Sequence, residues 1–223
     1  MMKVVFDIET SGAPFETLDE QQQRYLLKFA ETDEQRANEK LKVNLYPFTA
    51  EVVCIGMLNV DTRKGRVLLR GEGLEPWQSD DGAIDYLPFD ERGLLEQFWR
   101  DIAHYEQLVS FNGRAFDGPF LHIRSAMLGV PPSRALVTNR YNPSLHCDLL
   151  EQLTYYGVGR KFSLDFVCMA FGIDSPKRHG IDGHDINELF RAGRLREIAE
   201  YNVRDLYATR ELFLRWEEFL KVG

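Results

Sequence analysis

The sequence predicts an α/β protein in which a mixed β-sheet is flanked by α-helices. The chain opens on a short run of β-branched and aromatic residues, Lys3 to Thr10, that is typical of a buried strand. Two further apolar runs, at residues 51–60 and 66–70, are separated by a polar turn and indicate an antiparallel hairpin. Helical and extended segments then alternate to the end of the chain, which places helices against the sheet.

Residues 15 to about 45 form a polar insertion between the first strand and the hairpin. Apolar residues recur there at helical spacing, and two capping-box patterns, Thr17 to Glu20 and Thr32 to Gln35, predict two short helices. Because the insertion leaves directly from the first strand, it is either a lid over a site at the end of that strand or a plain surface insertion. The second interpretation is favoured.

The elements after the hairpin follow from helix caps and breakers. Residues 71–89 are rich in Gly, Pro, Asp and Ser and predict a loop. Asp90 then caps an amphipathic helix that runs to about Tyr105. The remaining expected elements are a strand at residues 108–111, a helix from Asp117 to Leu128 closed by Gly129, a possible edge strand at residues 145–147, two helices capped by Asp148 and Ser163, and helices near residues 184–191 and 195–220.

The composition is that of an ordinary globular chain, with 223 residues of which 44% are hydrophobic and 28% are charged. We therefore expect one domain spanning residues 1–223. No apolar run reaches the ~20 residues of a membrane span, and the N-terminus lacks the pattern of a signal peptide. Three widely spaced cysteines, Cys54, Cys147 and Cys168, predict buried thiols in a reducing compartment, so a cytoplasmic location is expected.

The net charge of −8 argues at first against a nucleic-acid partner. The distribution of charge changes that conclusion, because residues 107–180 carry eight basic and five acidic side chains within an acidic chain. The basic residues of this middle segment are Arg114, Arg124, Arg134, Arg140, Arg160, Lys161, Lys177 and Arg178. A random fluctuation of solvated charges explains the segment equally well.

Two carboxylates end the first strand at a spacing that brings them together. Side chains at positions i and i+2 of a strand leave the same face, so Asp7 and Glu9 point into one spot while Ile8 packs behind them. Two adjacent anions repel each other unless a cation or a shared proton lies between them. Paired oxygen donors at the end of a buried strand suit Mg²⁺ or Mn²⁺. The pair alone is also compatible with a solvated strand end.

A third carboxylate stands where a buried strand meets a helix, in the segment from Asn112 to Asp117. Such junctions are favoured places for binding sites in α/β proteins. Asn112 can donate and accept hydrogen bonds, and Phe116 offers a ring on which a base could stack. Taken alone, Asp117 is better explained as a helix N-cap and Phe116 as a core residue.

The last helix carries a tyrosine and a fourth carboxylate on one face. Tyr201 and Asp205 are four residues apart and therefore about one turn from each other. A phenol in that position could hold a water beside a metal ion that the carboxylate binds. Taken alone, the two residues are better explained as part of a solvated helix face.

The three motifs occur in an order and spacing that resemble the three exonuclease motifs of the DnaQ-like 3′–5′ exonucleases. The tyrosine of the last motif matches the DEDDy branch of that group, and the second motif is most similar to the proofreading domain of family-B DNA polymerases. The resemblance spans the chain from Asp7 to Asp205. It implies an RNase H-like fold, which agrees with the mixed sheet, and a single 3′–5′ exonuclease domain.

The resemblance also implies a cofactor and a reaction. Two divalent ions, Mg²⁺ or Mn²⁺, would be held by four carboxylates: Asp7, Glu9, Asp117 and Asp205. Asp7 would bridge the ions, and Tyr201 would orient the attacking water. The product would be a nucleoside 5′-monophosphate released from the 3′ end of a single strand, with DNA favoured over RNA.

The expected substrate contacts follow from the same resemblance. Thr10, Asn112 and Phe116 would contact the terminal nucleotide, and Lys161 with the basic middle segment would contact phosphates. Neutralising Lys177 and Arg178 is expected to raise KM for long strands. Two alternatives stay open, namely an exoribonuclease and a catalytically silent nucleic-acid-binding module of the same fold. The sequence leaves the oligomeric state undetermined.

Overall fold

A computed structural model describes residues 2–174, 183 and 185–221, and it contains a seven-stranded mixed sheet. In spatial order the strands are β4 (Trp77–Gln78), β5 (Ile84–Phe89), β3 (Gly65–Arg70), β2 (Ala50–Asn59), β1 (Lys3–Gly12), β6 (Gln107–Ser110) and β7 (His146–Asp148). Strand β1 pairs antiparallel with β2 and parallel with β6, and β7 adds in parallel at the edge. The predicted mixed sheet, the hairpin β2–β3 and the edge strand are confirmed.

The prediction of a loop at residues 71–89 was wrong. This segment contains β4 and β5, and β5 pairs in parallel with β3 over its whole length. The local signals for a strand are weak there, because Pro88 cannot donate to a ladder and Asp85 interrupts the apolar run. Burial of Ile84 and Tyr86 in the core holds the strand in place.

Helices cover both faces of the sheet. Their bounds are α1 (Glu20–Leu26), α2 (Asp33–Leu41), α3 (Glu91–Ile102), α4 (Asp117–Leu128), α5 (Leu149–Leu153), α6 (Leu164–Ala170), α7 (Ile186–Arg191) and α8 (Leu195–Phe219), with 3₁₀ turns at Phe15–Thr17 and Lys42–Leu45. Asp90, Asp148 and Ser163 cap α3, α5 and α6 as predicted.

The alternation of β1 divides its side chains between two cores. Val5 belongs to the cluster that packs with α8, whereas Phe6 and Ile8 belong to the cluster that packs with α3 and α4. Asp7 and Glu9 therefore leave β1 on the face that α8 covers. Ile8 packs on the other face, as expected.

The insertion between β1 and β2 forms two short helices, and neither α1 nor α2 contains a buried residue. Thr32 and Gln35 form the predicted capping box of α2. The predicted box at Thr17 was wrong, because Asp19 is the N-cap of α1 and pairs with Gln22. Aspartate accepts the capping hydrogen bond as well as threonine does, so two residues competed for the same role.

Two expectations from composition can be compared with the described part of the chain. All three cysteines are buried free thiols, as predicted. Among the described helices, none combines the length and the apolarity that crossing a membrane requires.

Candidate metal and catalytic site

Three carboxylates meet where β1 passes beneath α8. Oxygen atoms of Asp7, Glu9 and Asp205 all lie within 4.8 Å of one another. The first two come from one face of β1, as the period of the strand predicts, and the third comes from the middle of α8. Sequence reasoning placed all three in one site, and the structure brings them together.

Burial and mutual repulsion make this cluster unfavourable for negative charge. The pKa of Asp7 is raised well above its usual value, first by burial and then by the charges of Asp117, Glu9 and Asp205. The pKa of Glu9 is also raised well above its usual value by burial and by Asp205. Buried hard oxygen donors that repel one another are the donor set that a small divalent cation neutralises, so these residues fit Mg²⁺ or Mn²⁺.

Asp117 lies beside this cluster and is anchored to β1. Strand β6 pairs with β1 only as far as Val5, and beyond that point the backbone N–H of Ile8 donates to Oδ1 of Asp117 at 3.0 Å. Burial raises the pKa of Asp117 to about 7, against the lowering effect of its backbone hydrogen bonds. The explanation of Asp117 as a helix N-cap was wrong, because Phe116 is the N-cap of α4 and Asp117 is its first residue.

Tyr201 is buried next to the carboxylates and one turn before Asp205 on α8. Burial raises the pKa of its phenol, and the neighbouring charges of Asp205, Glu9 and Asp7 raise it further. A hydrogen bond joins the phenol to Asp205. The hydroxyl therefore keeps its proton and acts as a donor in this site. The explanation of Tyr201 as a solvated surface residue was wrong.

Asn202 is a member of the site that sequence reasoning missed. Its side chain is fully buried, and Nδ2 donates to Oδ2 of Asp7 at 2.8 Å. It also makes a hydrogen bond that lowers the pKa of Glu9. Strand β2 makes room for it, since Gly56 lies opposite Asp7 and a Cβ on Gly56 would come within 1.9 Å of Asn202 Oδ1. The sequence did offer one signal, which is a polar residue on the packed face of α8, where the other residues are mostly apolar.

Asp148 is a second residue whose part in this region was missed. Its carboxylate accepts hydrogen bonds from the backbone N–H of Asn112 at 2.9 Å and of Arg114 at 3.0 Å, in addition to capping α5. Asn112 itself adopts a left-handed φ of 67°. Asp148 therefore holds the turn that leads from β6 to Asp117.

The residues that were expected to contact the substrate lie in different surroundings. Asn112 and Phe116 are partly buried on the β6–α4 turn, where the ring of Phe116 packs against Phe120. Thr10 follows a bulge in β1, and its hydroxyl donates to the carbonyl of Asn44 at 2.7 Å. Lys161 is exposed on the segment before α6, outside the buried cluster. Lys177 and Arg178 lie outside the described residues.

The fold and the sequence of this chain are both similar to parts of known DNA polymerases. Over 99% of the chain the fold matches a family B DNA polymerase from the archaeon Pyrobaculum calidifontis, with a TM-score of 0.65 and 19% sequence identity, and the match covers 25% of that polymerase. DNA polymerase 1 of Aeropyrum pernix is 28% identical over 183 residues, which are 74% of this chain and 18% of the polymerase. The mixed sheet with flanking helices is consistent with the RNase H-like fold of polymerase B exonuclease domains.

The family follows from a match over more than half of the chain. Residues 78–221 fit the model of a family described as a predicted 3′–5′ exonuclease related to the exonuclease domain of polymerase B, and this chain belongs to that family. The matched region includes Asp117, Tyr201 and Asp205 but begins after Asp7 and Glu9. The chain spans about a quarter or less of the two polymerases that it resembles.

Proposed function

We propose that the chain is a metal-dependent 3′–5′ exonuclease that removes nucleoside 5′-monophosphates from the 3′ end of single-stranded DNA, with RNA as the alternative substrate. The observation that carries this proposal is the cluster of Asp7, Glu9 and Asp205, whose oxygen atoms lie within 4.8 Å of one another in a chain of this exonuclease family. The proposed domain comprises residues 1–223, because the first motif and the last lie near opposite ends of the sequence. The buried thiols support a reducing, cytoplasmic setting.

The four carboxylates are proposed to hold two divalent ions. When bound, two such ions stabilise both the attacking and the leaving oxygen of a phosphodiester displacement. Asp7, Glu9, Asp117 and Asp205 would hold the ions, and the charges of the other three carboxylates all raise the pKa of Asp7. Asp117, whose Oδ1 accepts from the backbone N–H of Ile8, would contribute its carboxylate to the same site.

Tyr201 and the β6–α4 turn are proposed to position water and substrate. The protonated phenol donates to Asp205, and its oxygen can accept a hydrogen bond from a water beside the cluster and so orient that water. Asn112 and Phe116 are oriented by the turn that Asp148 holds, so they can contact the terminal nucleotide. Thr10 can contribute through its backbone, since its hydroxyl is already bonded to Asn44.

The test is digestion of matched 3′-labelled and 5′-labelled DNA and RNA strands with Mg²⁺, Mn²⁺ or EDTA. We expect 5′-labelled strands to shorten stepwise, 3′-labelled strands to release labelled mononucleotide at once, and EDTA to stop both. Asp7→Asn should be inactive. Glu75→Gln neutralises an exposed carboxylate that is not part of the site, and it should hydrolyse the strands at the wild-type rate. Binding of the strands without any cleavage would favour the silent binding module instead.

A further inference from the structure

A cleft of about 530 Å³ lies between α5, α6 and the C-terminal part of α8. Aromatic rings at its rim are open to solvent, with Tyr155 70% exposed, Phe166 50% and Phe162 39%. Grouped exposed rings of this kind mark a surface that binds something. We call the surface formed by Tyr155, Arg160, Phe162 and Phe166 the aromatic cleft.

Two of the rings are stacked on each other, and a cation lies over one of them. Phe162 and Phe166 are nearly parallel, with an interplanar angle of 10° and ring centroids 4.5 Å apart. The guanidinium of Arg160 lies over the ring of Phe162, 5.2 Å from its centroid, and the next residue, Lys161, is exposed. Planar stacking faces next to mobile cations are the combination that binds the bases and phosphates of a single strand.

Tyr155 lies on a turn whose backbone conformation is unfavourable for bulky residues. Tyr155 has φ 49° and Tyr156 has φ 60°, a left-handed region that is uncommon for bulky residues. The turn is held by Tyr156 N–H, which donates to Glu151 O at 2.7 Å, and by the ring of Tyr156, which packs edge-on against Tyr141. Strained backbone is retained where the surrounding structure over-determines it, and such places cluster at binding sites.

The aromatic cleft adjoins the carboxylate site through shared elements. Asp148 caps helix α5, and its carboxylate also holds the turn of Asn112. Helix α6 packs on α8 with Cys168 buried between them, while Phe166 faces solvent. Along α8, Trp216 in the floor of the cleft is about 16 Å from Asp205. A strand whose 3′ end lies at the carboxylates can therefore continue onto this surface.

From this placement we infer that the aromatic cleft binds the single strand upstream of the nucleotide being removed, by stacking bases on Tyr155 and on the exposed face of Phe166, which Phe162 supports from behind, and by pairing phosphates with Arg160 and Lys161. This inference rests on the proposed exonuclease function for the direction of the strand. The cations distinguish the cleft from a purely apolar groove for a protein segment. Because stacking does not read the 2′-hydroxyl, the cleft accepts DNA and RNA alike.

The test measures binding without catalysis, by anisotropy of a fluorescein-labelled oligothymidylate in EDTA. The decisive variant is Tyr155→Gly, because glycine accepts a left-handed φ without strain and the variant should fold at least as stably as the wild type. We expect its Kd to rise about tenfold with no fall in Tm. Oligouridylate should lose affinity in parallel.

Phe166 provides a second, independent pair of variants. Phe166→Ala should also weaken binding about tenfold, and Phe166→Trp should restore it, since the ring and not the residue is required. The capping bond of α6 runs from the backbone N of Phe166 to Ser163 Oγ, so both variants keep it. The matched control is Phe29→Ala on the insertion, which removes an 84% exposed ring outside the cleft and should leave Kd unchanged.

Catalysis on a minimal substrate separates this inference from the proposed function. The p-nitrophenyl ester of thymidine 5′-monophosphate has no upstream strand, so Tyr155→Gly and Phe166→Ala should hydrolyse it at the wild-type rate. Wild-type affinity for oligothymidylate in both variants would overturn the inference even if hydrolysis is normal. A wild-type dimer that both variants dissociate, with unchanged Kd, would also overturn it and assign the cleft to contact between copies. If the wild-type protein hydrolyses neither ester nor strand, it is the proposed function that fails.

Discussion

The side-chain amide of Asn202 donates to Asp7 Oδ2 at 2.8 Å, inside a space that exists because residue 56 is glycine. This bond fixes the position of one oxygen of Asp7 within the cluster of carboxylates. Asn202 is thus a positioning residue for the proposed metal site. Groups that orient metal ligands in this way commonly affect metal affinity or activity by about 10–100-fold.

Asn202→Leu and Gly56→Ala should therefore have the same effect by different routes. The first removes the donor, and the second places a methyl group 1.9 Å from Asn202 Oδ1 and displaces the side chain. Each should lower affinity for Mn²⁺, measured by titration of its electron paramagnetic resonance signal, by about 10–100-fold. The double variant should be hardly worse than either single one. Gly159→Ala, whose new Cβ makes only ordinary contacts at 3.7 Å, is the control.

Asp7→Asn and Asp205→Asn should each abolish hydrolysis of a labelled strand while the fold is retained. Each removes a charged donor from the cluster of three carboxylates. Because burial raises the pKa of Asp7 well above its usual value, loss of that charge should raise Tm of the metal-free protein at neutral pH. Mg²⁺ should raise Tm of the wild type and leave both variants nearly unchanged. Full Mg²⁺-dependent hydrolysis by either variant would refute the assignment of the site.

Tyr201→Phe should slow hydrolysis without abolishing it, and less than the loss of a carboxylate does. The phenol donates its one proton to Asp205 and leaves its oxygen to accept from a water, whereas all four carboxylates are kept. Because the phenol stays protonated, ionisation of Tyr201 should not change the rate of the wild type at alkaline pH. The pH–rate profiles of the wild type and of Tyr201→Phe should therefore have the same shape, without an alkaline limb that is present only in the wild type. Single-turnover kinetics across pH would detect such a limb if it exists.

The stability of the metal-free protein should depend on pH through Asp117. Its folded pKa of about 7 lies above the usual value of 3.8, so the folded state keeps a proton that the unfolded state loses. This contribution to stability is complete below about pH 4 and is lost as the pH rises to about 7. Buried His146 acts in the opposite direction, since its pKa is lowered to about 4.

Comparison with Asp117→Asn cancels the effect of His146 and leaves the contribution of Asp117 together with its effect on Asp7 and Glu9, which has the same sign. Urea unfolding in EDTA should show that the variant gains stability relative to the wild type as the pH rises from 4 to 7. A difference that is constant over this range would contradict the raised pKa. Saturating Mg²⁺ should reduce the pH dependence of the wild type.

Local regularity made much of this site predictable. The period of two in a strand put Asp7 and Glu9 on one face, and the helical repeat put Tyr201 beside Asp205. The caps at Asp90, Asp148 and Ser163 and the hairpin β2–β3 also depend on neighbours within a few residues, and all are confirmed. The order of the three motifs led to the exonuclease family whose model matches residues 78–221.

Strand β5 and the roles of Asp117 and Asn202 required the tertiary structure. Strand β5 is held by its pairing with β3 although its own residues signal a loop. Asp117 bonds to Ile8, and Asn202 to Asp7, across 109 and 195 positions of the chain. By itself the sequence determined which side chains share a face of one element, because strand and helix periods are local. Only the tertiary structure decided which faces meet, because that depends on packing, such as the space that Gly56 leaves for one amide.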